Sequence, residues 1–129
     1  VRAIYKICTV EEWANASRIG KFTGSEVDRR DGFIHFSTRE QLAETAAKHF
    51  YHLHDLVLVM VDAGQLGALL KWEPSRGGAH FPHLYAPLDT AVVTVVTTLP
   101  DGEARAEFLS NLPDEADAGN TATRLSNST

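Results

Sequence analysis

The chain opens with Ala3-Ile4-Tyr5-Lys6-Ile7-Cys8, where apolar and mixed positions alternate with the period of a strand. Thr9 and Glu12 then form a capping box: the threonine oxygen accepts an early helical N–H and the glutamate reaches back to the threonine N–H. The helix this predicts runs from Val10 to about Ile19, with Val10, Trp13, Ala14 and Ala16 as its apolar positions and Gly20 as its stop. From Lys21 to Gly32 periodicity is lost. Gly24, Ser25, Glu26, Asp28, Arg29, Arg30 and Asp31 read as a polar loop with a single helical turn around Ser25-Glu26-Val27. A loop of about 12 residues inside a small domain is either functional or a surface connection, and its spacing does not choose between them.

Asp31-Gly32-Phe33-Ile34-His35-Phe36-Ser37-Thr38 reads as a turn, a short apolar strand holding one histidine, and a hydroxyl pair that opens a helix. Two capping boxes overlap there, Thr38 with Gln41 and Ser37 with Glu40. The helix is expected from Arg39 to about His52, with Leu42, Ala46, Phe50 and Leu53 on one face and Ala43 and Ala47 beside them. Only one of Ser37 and Thr38 can cap it, so the other is left for a different partner.

Leu56-Val57-Leu58-Val59-Met60-Val61 is a continuous apolar run, as in a strand buried on both faces. Ala63 to Leu70 reads as a helical turn, Leu70 to Pro74 as a strand ended by the proline, Ser75 to Pro82 as a flexible loop, and His83 to Pro87 as a short strand. Ala91 to Leu99 is β-branched almost throughout and is the strongest strand signal. Asp101-Gly102 turns the chain into a last amphipathic helix carrying Ala104, Phe108, Leu109 and Leu112. Strands outnumber helices and cluster late, which predicts a single α+β domain over residues 1–112 rather than a doubly wound sheet. Beyond Pro113 the only large apolar residue is Leu125, so 113–129 is expected to be a disordered tail.

Composition narrows the function more than the fold. The 129 residues fit one domain, and 43% hydrophobic with 22% charged residues is the balance of an ordinary soluble protein. Of the net charge of -5, residues 101–129 carry -4 and the body only -1. A near-neutral body argues against non-specific binding along a phosphate backbone while leaving room for a local anion pocket. No apolar run reaches the roughly 18 residues of a membrane span and the first residues lack a signal-peptide core, so no membrane association and a cytoplasmic location are expected. The single cysteine, Cys8, can neither close an internal disulfide nor build a zinc site, and reads as a small buried hydrophobe.

Three constellations could carry chemistry. His35 on its apolar strand is either a satisfied core imidazole or the floor of a site. Glu73, beside Trp72 and followed by Arg76 and Gly77-Gly78, can orient a hydroxyl or stabilise a developing cation; equally, it can be a solvent-facing carboxylate paired with Lys71 or Arg76. His80-Phe81-Pro82-His83-Leu84-Tyr85 gathers two histidines and two aromatics. A metal there would need further ligands, and no cysteine pair, HExxH or acidic cluster supplies them, so no metal is expected. His49, His52 and His54 suit the negative end of their helix. There is no nucleophile elbow, P-loop, dinucleotide fingerprint or RNA-binding signature.

Taken together, Ile4-Tyr5-Lys6-Ile7, Glu12-Trp13, Gly24-Ser25, the Asp31–Thr38 motif, Leu56–Val59, Leu70-Lys71-Trp72-Glu73 and Phe81-Pro82-His83-Leu84-Tyr85-Ala86-Pro87-Leu88 resemble the small bacterial family catalogued as domain of unknown function 952. The resemblance covers about residues 3–99. Members of that family resemble the ADP-ribosyltransferase fold, including its tRNA 2′-phosphotransferase branch, in which a split β-sheet with flanking helices clasps NAD or an ADP-ribosylated intermediate. The resemblance implies a cleft with His35 and Glu73 in catalytic roles and Ser37, Thr38, Trp72, Arg76, His83 and Tyr85 binding a nucleotide-like ligand, with NAD as a substrate. Where transferases carry a histidine or arginine on the first strand, this chain has Tyr5 and Lys6. The competing reading is a ligand-sensing or protein-interaction module that keeps the cleft without the chemistry. Oligomeric state and substrate are not legible.

Overall fold

Two three-stranded antiparallel sheets meet at a single bridge in the computed structural model, which describes residues 2–112. In the first, β1 (Ala3–Thr9) pairs with β4 (Leu56–Asp62), and the far edge of β4 pairs with β8 (Val93–Thr98). In the second, β6 (His80–Leu84) lies between β3 (Ile34–His35) and β5 (Leu70–Pro74). The join is made by Tyr5 and Ser37, each giving its N–H to the other's carbonyl at 2.8 Å. A two-residue pair, β2 (Lys21–Phe22) with β7 (Leu88–Asp89), closes one end. The helices are α1 (Val10–Ile19), α2 (Glu26–Asp31), α3 (Leu42–His49) and α4 (Glu103–Ser110). The architecture is therefore mixed α+β with antiparallel sheets, as the order of elements implied. The expected tail, 113–129, lies outside the described residues.

The continuous apolar run in β4 has the cause inferred from it. Val57, Val59 and Val61 face a core with Ile4, Cys8, Phe36, Leu84 and Ala16 of α1. Leu56 and Leu58 face a second core with Tyr5, Ile7, Leu109 of α4, and Leu42 and Ala46 of α3. Covering both faces makes each of these side chains worth about 1.5–3 kcal/mol in burial. Cys8 is part of the first core, where burial above all, with Glu12 nearby, pushes its thiol up to about 12. The native protein should therefore resist thiol alkylation at neutral pH and react once unfolded; rapid labelling without denaturant would contradict this placement.

The second core is tied down by Arg105, which is 5% exposed. Its guanidinium donates to the carbonyls of Phe50 and Leu53, each at 2.7 Å, and to that of Pro100 at 3.0 Å. The first two serve carbonyls at and just past the C-terminus of α3, that of Phe50 shared with the Leu53 N–H, and the third ties them to the segment before α4.

Several element boundaries depart from the expected ones. Helix α3 ends at His49 rather than His52 and is entered through a 3-10 turn at Arg39–Gln41. The strand expected over 91–99 begins with another 3-10 turn, Thr90–Val92, because the Asp89 carboxylate accepts the Ala91 N–H. The stretch 75–82 is only half loop: β6 starts at His80 and includes Pro82. A proline reads as a strand breaker because it lacks an N–H, yet the Pro82 carbonyl still serves the ladder by accepting the Phe36 N–H at 3.0 Å. Strand β6 also stops at Leu84 rather than Pro87. Finally, the polar stretch 21–32 holds β2 and the whole of α2, a full short helix instead of a single turn.

Candidate functional site

Helix α2 places the carboxylate on which one half of the site is built. Ser25 and Asp28 form a capping box, with the Ser25 N–H donating to Asp28 Oδ2 at 2.9 Å. The packing at this corner demands Gly24, since a Cβ there would fall 2.6 Å from that of Asp28 and the backbone φ is +105°. Gly32, left-handed at φ 88°, ends the helix and returns the chain into β3. Asp28 is thereby buried, at 2% exposure, against β1 and β3. Its Oδ2 lies 2.7 Å from Lys6 Nζ; its Oδ1 takes Lys6 Nζ at 3.0 Å, the His35 N–H at 3.1 Å and His35 Nδ1 at 2.6 Å. Burial alone would raise the Asp28 carboxyl, but the His35 bond, the Lys6 charge and the Ser25 N–H outweigh it and hold the group far below the usual carboxylate range.

His35 is gripped from its other side as well. Nε2 lies 3.0 Å from Asp31 Oδ2. Ionised carboxylates only accept, so both ring contacts are hydrogen bonds together only in the doubly protonated imidazole. Asp31 also receives Arg30 Nε on Oδ1 at 3.1 Å, and Arg30 chiefly, with His35, lowers its carboxyl from the ordinary value.

The other half of the site comes from β5 and β6. Register pairs His35 with His83 across β3 and β6, and Lys71 with His83 across β5 and β6, so strand alternation puts Glu73 and Tyr85 on that same face. Glu73 Oε1 accepts from the Tyr85 hydroxyl at 2.7 Å and lies 2.8 Å from His83 Nδ1. The Tyr85 hydroxyl, then the His83 ring, lowers the Glu73 carboxyl, and the same bond raises the Tyr85 phenol. Both contacts use Oε1, and no described side chain is bonded to Oε2. Phe33 joins the halves: its ring stacks on His83 at 4.1 Å between centroids and meets His35 at 4.5 Å and Tyr85 at 5.2 Å. Lys71 Nζ lies 5.4 Å from the centre of the Tyr85 ring.

His35, Glu73, His83 and Tyr85, expected together from the sequence, therefore share one half-exposed face. The side chains of three more expected ligand-binding residues, Trp72, Thr38 and Ser37, are placed elsewhere. Trp72 points to the opposite face of β5, packed on the core under the Arg2 guanidinium 4.4 Å from its ring centre. Thr38 is the helix cap, accepting the Gln41 N–H at 3.3 Å, and Ser37 donates to Thr45 Oγ1 of α3 at 3.2 Å. The spare hydroxyl is thus spent on packing α3. Arg76 lies on the 3-10 turn Arg76–Gly78 that links β5 and β6. Among the described residues no group of three or more His, Cys, Asp or Glu is placed to hold a metal ion.

Sequence reasoning missed Asp28, Asp31 and Phe33, and gave Lys6 no partner. One signal was present: Ser25 followed by Asp28 at the capping-box spacing, with aspartate where glutamate is usual. Nothing in the spacing indicated that Lys6, 22 residues earlier, would share that carboxylate.

Residues 7–96 match the model of the protein of unknown function family DUF952, and the chain belongs to it. The crystal structure of protein CC0527 from Caulobacter crescentus is similar at 48% identity and a TM-score of 0.78, covering 84% of this chain and 98% of that one. The solution structure of the same Caulobacter protein is similar at 49% identity and a TM-score of 0.75, covering 88% of this chain and 98% of that one. No curated protein matches the chain. Among the described residues no helix is long and apolar enough to cross a membrane.

Proposed function

We propose that the face formed by Phe33, His35, Glu73, His83 and Tyr85 binds an NAD-derived or ADP-ribose-like nucleotide and supports transfer chemistry at its ribose. The observation that carries this reading is the convergence of His35, Glu73 and Tyr85, from three separate strand regions, on one half-exposed aromatic face. The join of two sheets at a single bridge also suits a split sheet of the ADP-ribosyltransferase kind. Cleavage of an N-glycosidic bond leaves positive charge on the ribose as the base departs with the bonding electrons, and the hydroxyl of an acceptor, or water, then bonds the anomeric carbon and gives up its proton. Glu73, with Oε1 fixed by Tyr85 and His83, presents negative charge to such a centre at no cost in reorganisation. His35, held at Nδ1 by Asp28, is the imidazole of the same face placed to exchange a proton with a ligand.

One observation favours binding without chemistry. Lys6, the cation of the first strand, is buried and committed to Asp28, so it is not available to a substrate. NMR titration with NAD, ADP-ribose and nicotinamide tests the site: saturable shifts at His35 and Tyr85 are expected, and a titration that moves neither would sink the proposal. Assay of released nicotinamide separates the two versions. Release that falls at least tenfold in Glu73→Gln, with binding kept, supports transfer; saturable binding with no release leaves the sensing module.

A further inference from the structure

The contacts of Asp31 differ in kind from those of Asp28. Asp28 is buried and is built into its helix by a capping box. Asp31 is the last residue of α2, about a third exposed, and has no part in that box. Acidic side chains are disfavoured in the last turn of a helix, so α2 itself does not account for an aspartate there. What the side chain does is place its two oxygens against two nitrogens, Arg30 Nε on Oδ1 at 3.1 Å and His35 Nε2 on Oδ2 at 3.0 Å, the latter a donor when the ring is doubly protonated. A guanidinium and an imidazole spaced to seat the two oxygens of one carboxylate are equally spaced to seat two oxygens of a phosphoryl group.

We propose that Asp31 is an internal occupant of an anion seat formed by Arg30 and His35, and that a ligand's phosphoryl or carboxylate group takes the seat by displacing it. This rests on the reading that the face is a ligand site, and specifies which part of the ligand goes where. Asp28 keeps its grip on Nδ1 throughout, so His35 keeps its orientation while Nε2 changes partner. Lys6 is locked on the buried carboxylate and contributes no donor to the seat. An intramolecular occupant lowers the apparent affinity of any anion by the fraction of time it fills the seat.

The test compares wild type with Asp31→Asn and Asp31→Ala, titrating inorganic phosphate, acetate, ADP-ribose and uncharged adenosine while reading the His35 ring signals. Both variants leave the Ser25–Asp28 box untouched, and unchanged ring-current shifts of Phe33 and Tyr85 confirm the folded face. Phosphate should bind about threefold or more tighter in both variants than in wild type. Adenosine should not gain, and Arg30→Ala added to Asp31→Asn should cancel the gain. Glu44→Gln, which removes one negative charge from α3, should leave phosphate affinity unchanged. Affinity that is equal or weaker in both Asp31 variants overturns the proposal, as does an equal gain in Glu44→Gln or the absence of any phosphate response at His35. Acetate and phosphate together show whether the seat accepts any anionic oxygen or favours the phosphoryl group. Phosphate gain without ADP-ribose binding would sink the nucleotide reading alone; ADP-ribose binding without a gain in the Asp31 variants would sink the anion seat alone.

Discussion

Asp28→Asn is expected to lower folding stability by about 3–5 kcal/mol, because it leaves the Lys6 ammonium buried without its counter-charge. Urea denaturation at neutral pH measures the loss, and a loss below about 1 kcal/mol would contradict the role given to this carboxylate. The wild-type pH profile carries the same information. The Asp28 carboxyl is lowered in the folded state, so below the ordinary carboxyl value of about 4 the unfolded chain binds the proton more readily. The stabilisation is therefore fully present above that pH and drains as the pH falls through the acid range, and Asp28→Asn should lack this part of the acid slope. Replacing both partners with apolar residues, as in Lys6→Met with Asp28→Leu, removes the orphaned charge. It should not restore wild-type stability, since the N–H groups of Ser25 and His35 would still lose their acceptor.

Arg105→Ala is the second large effect. It removes a donor from the carbonyls of Leu53, Pro100 and Phe50, of which Phe50 keeps the Leu53 N–H, and takes a buried side chain from between α3 and α4, for a loss of about 3 kcal/mol. For a domain of this size that corresponds to a fall in thermal midpoint of about 10 °C. Arg105→Lys should recover only part, because a single ammonium cannot reach carbonyls of Phe50, Leu53 and Pro100 in their different directions. Full recovery by lysine would show that charge, rather than the guanidinium fork, holds this corner. The substitutions lie in different parts of the fold, so their effects should add.

These residues mark where sequence reasoning reaches and where it stops. The period-2 opening of β1, the unbroken apolar run of β4 and the Thr9–Glu12 box are local signals, and each led to the right element. His35, Glu73, His83 and Tyr85 were also visible, as polar groups on stretches that otherwise read as strand. The partners that organise them were not. Asp28 sits in a polar stretch with ordinary loop composition, and its role depends on a lysine 22 residues earlier on β1, a non-local fact. Trp72 shows the opposite error: it is adjacent to Glu73 in sequence, but strand alternation sends the two to opposite faces. Pro82 hid the first half of β6 because a missing donor argues against a strand, and only the position of its neighbour Phe36 reveals that its acceptor suffices.

The position of Asp28 in α2 bears on the order in which the protein assembles. Six residues make too short a helix to persist alone in water, since nucleation fixes several residues for one hydrogen bond. Asp28, which closes the capping box with Ser25, is the same residue that bonds Lys6 on β1 and the backbone and ring of His35 on β3. Helix α2 is therefore expected to consolidate only after β1 and β3 have come together, late on the route to the native state. Weakening its cap at Ser25 would then speed unfolding while leaving the folding rate almost unchanged. The contacts from Asp28 that orient His35 form in that same step, so folding itself fixes the ring against its neighbours.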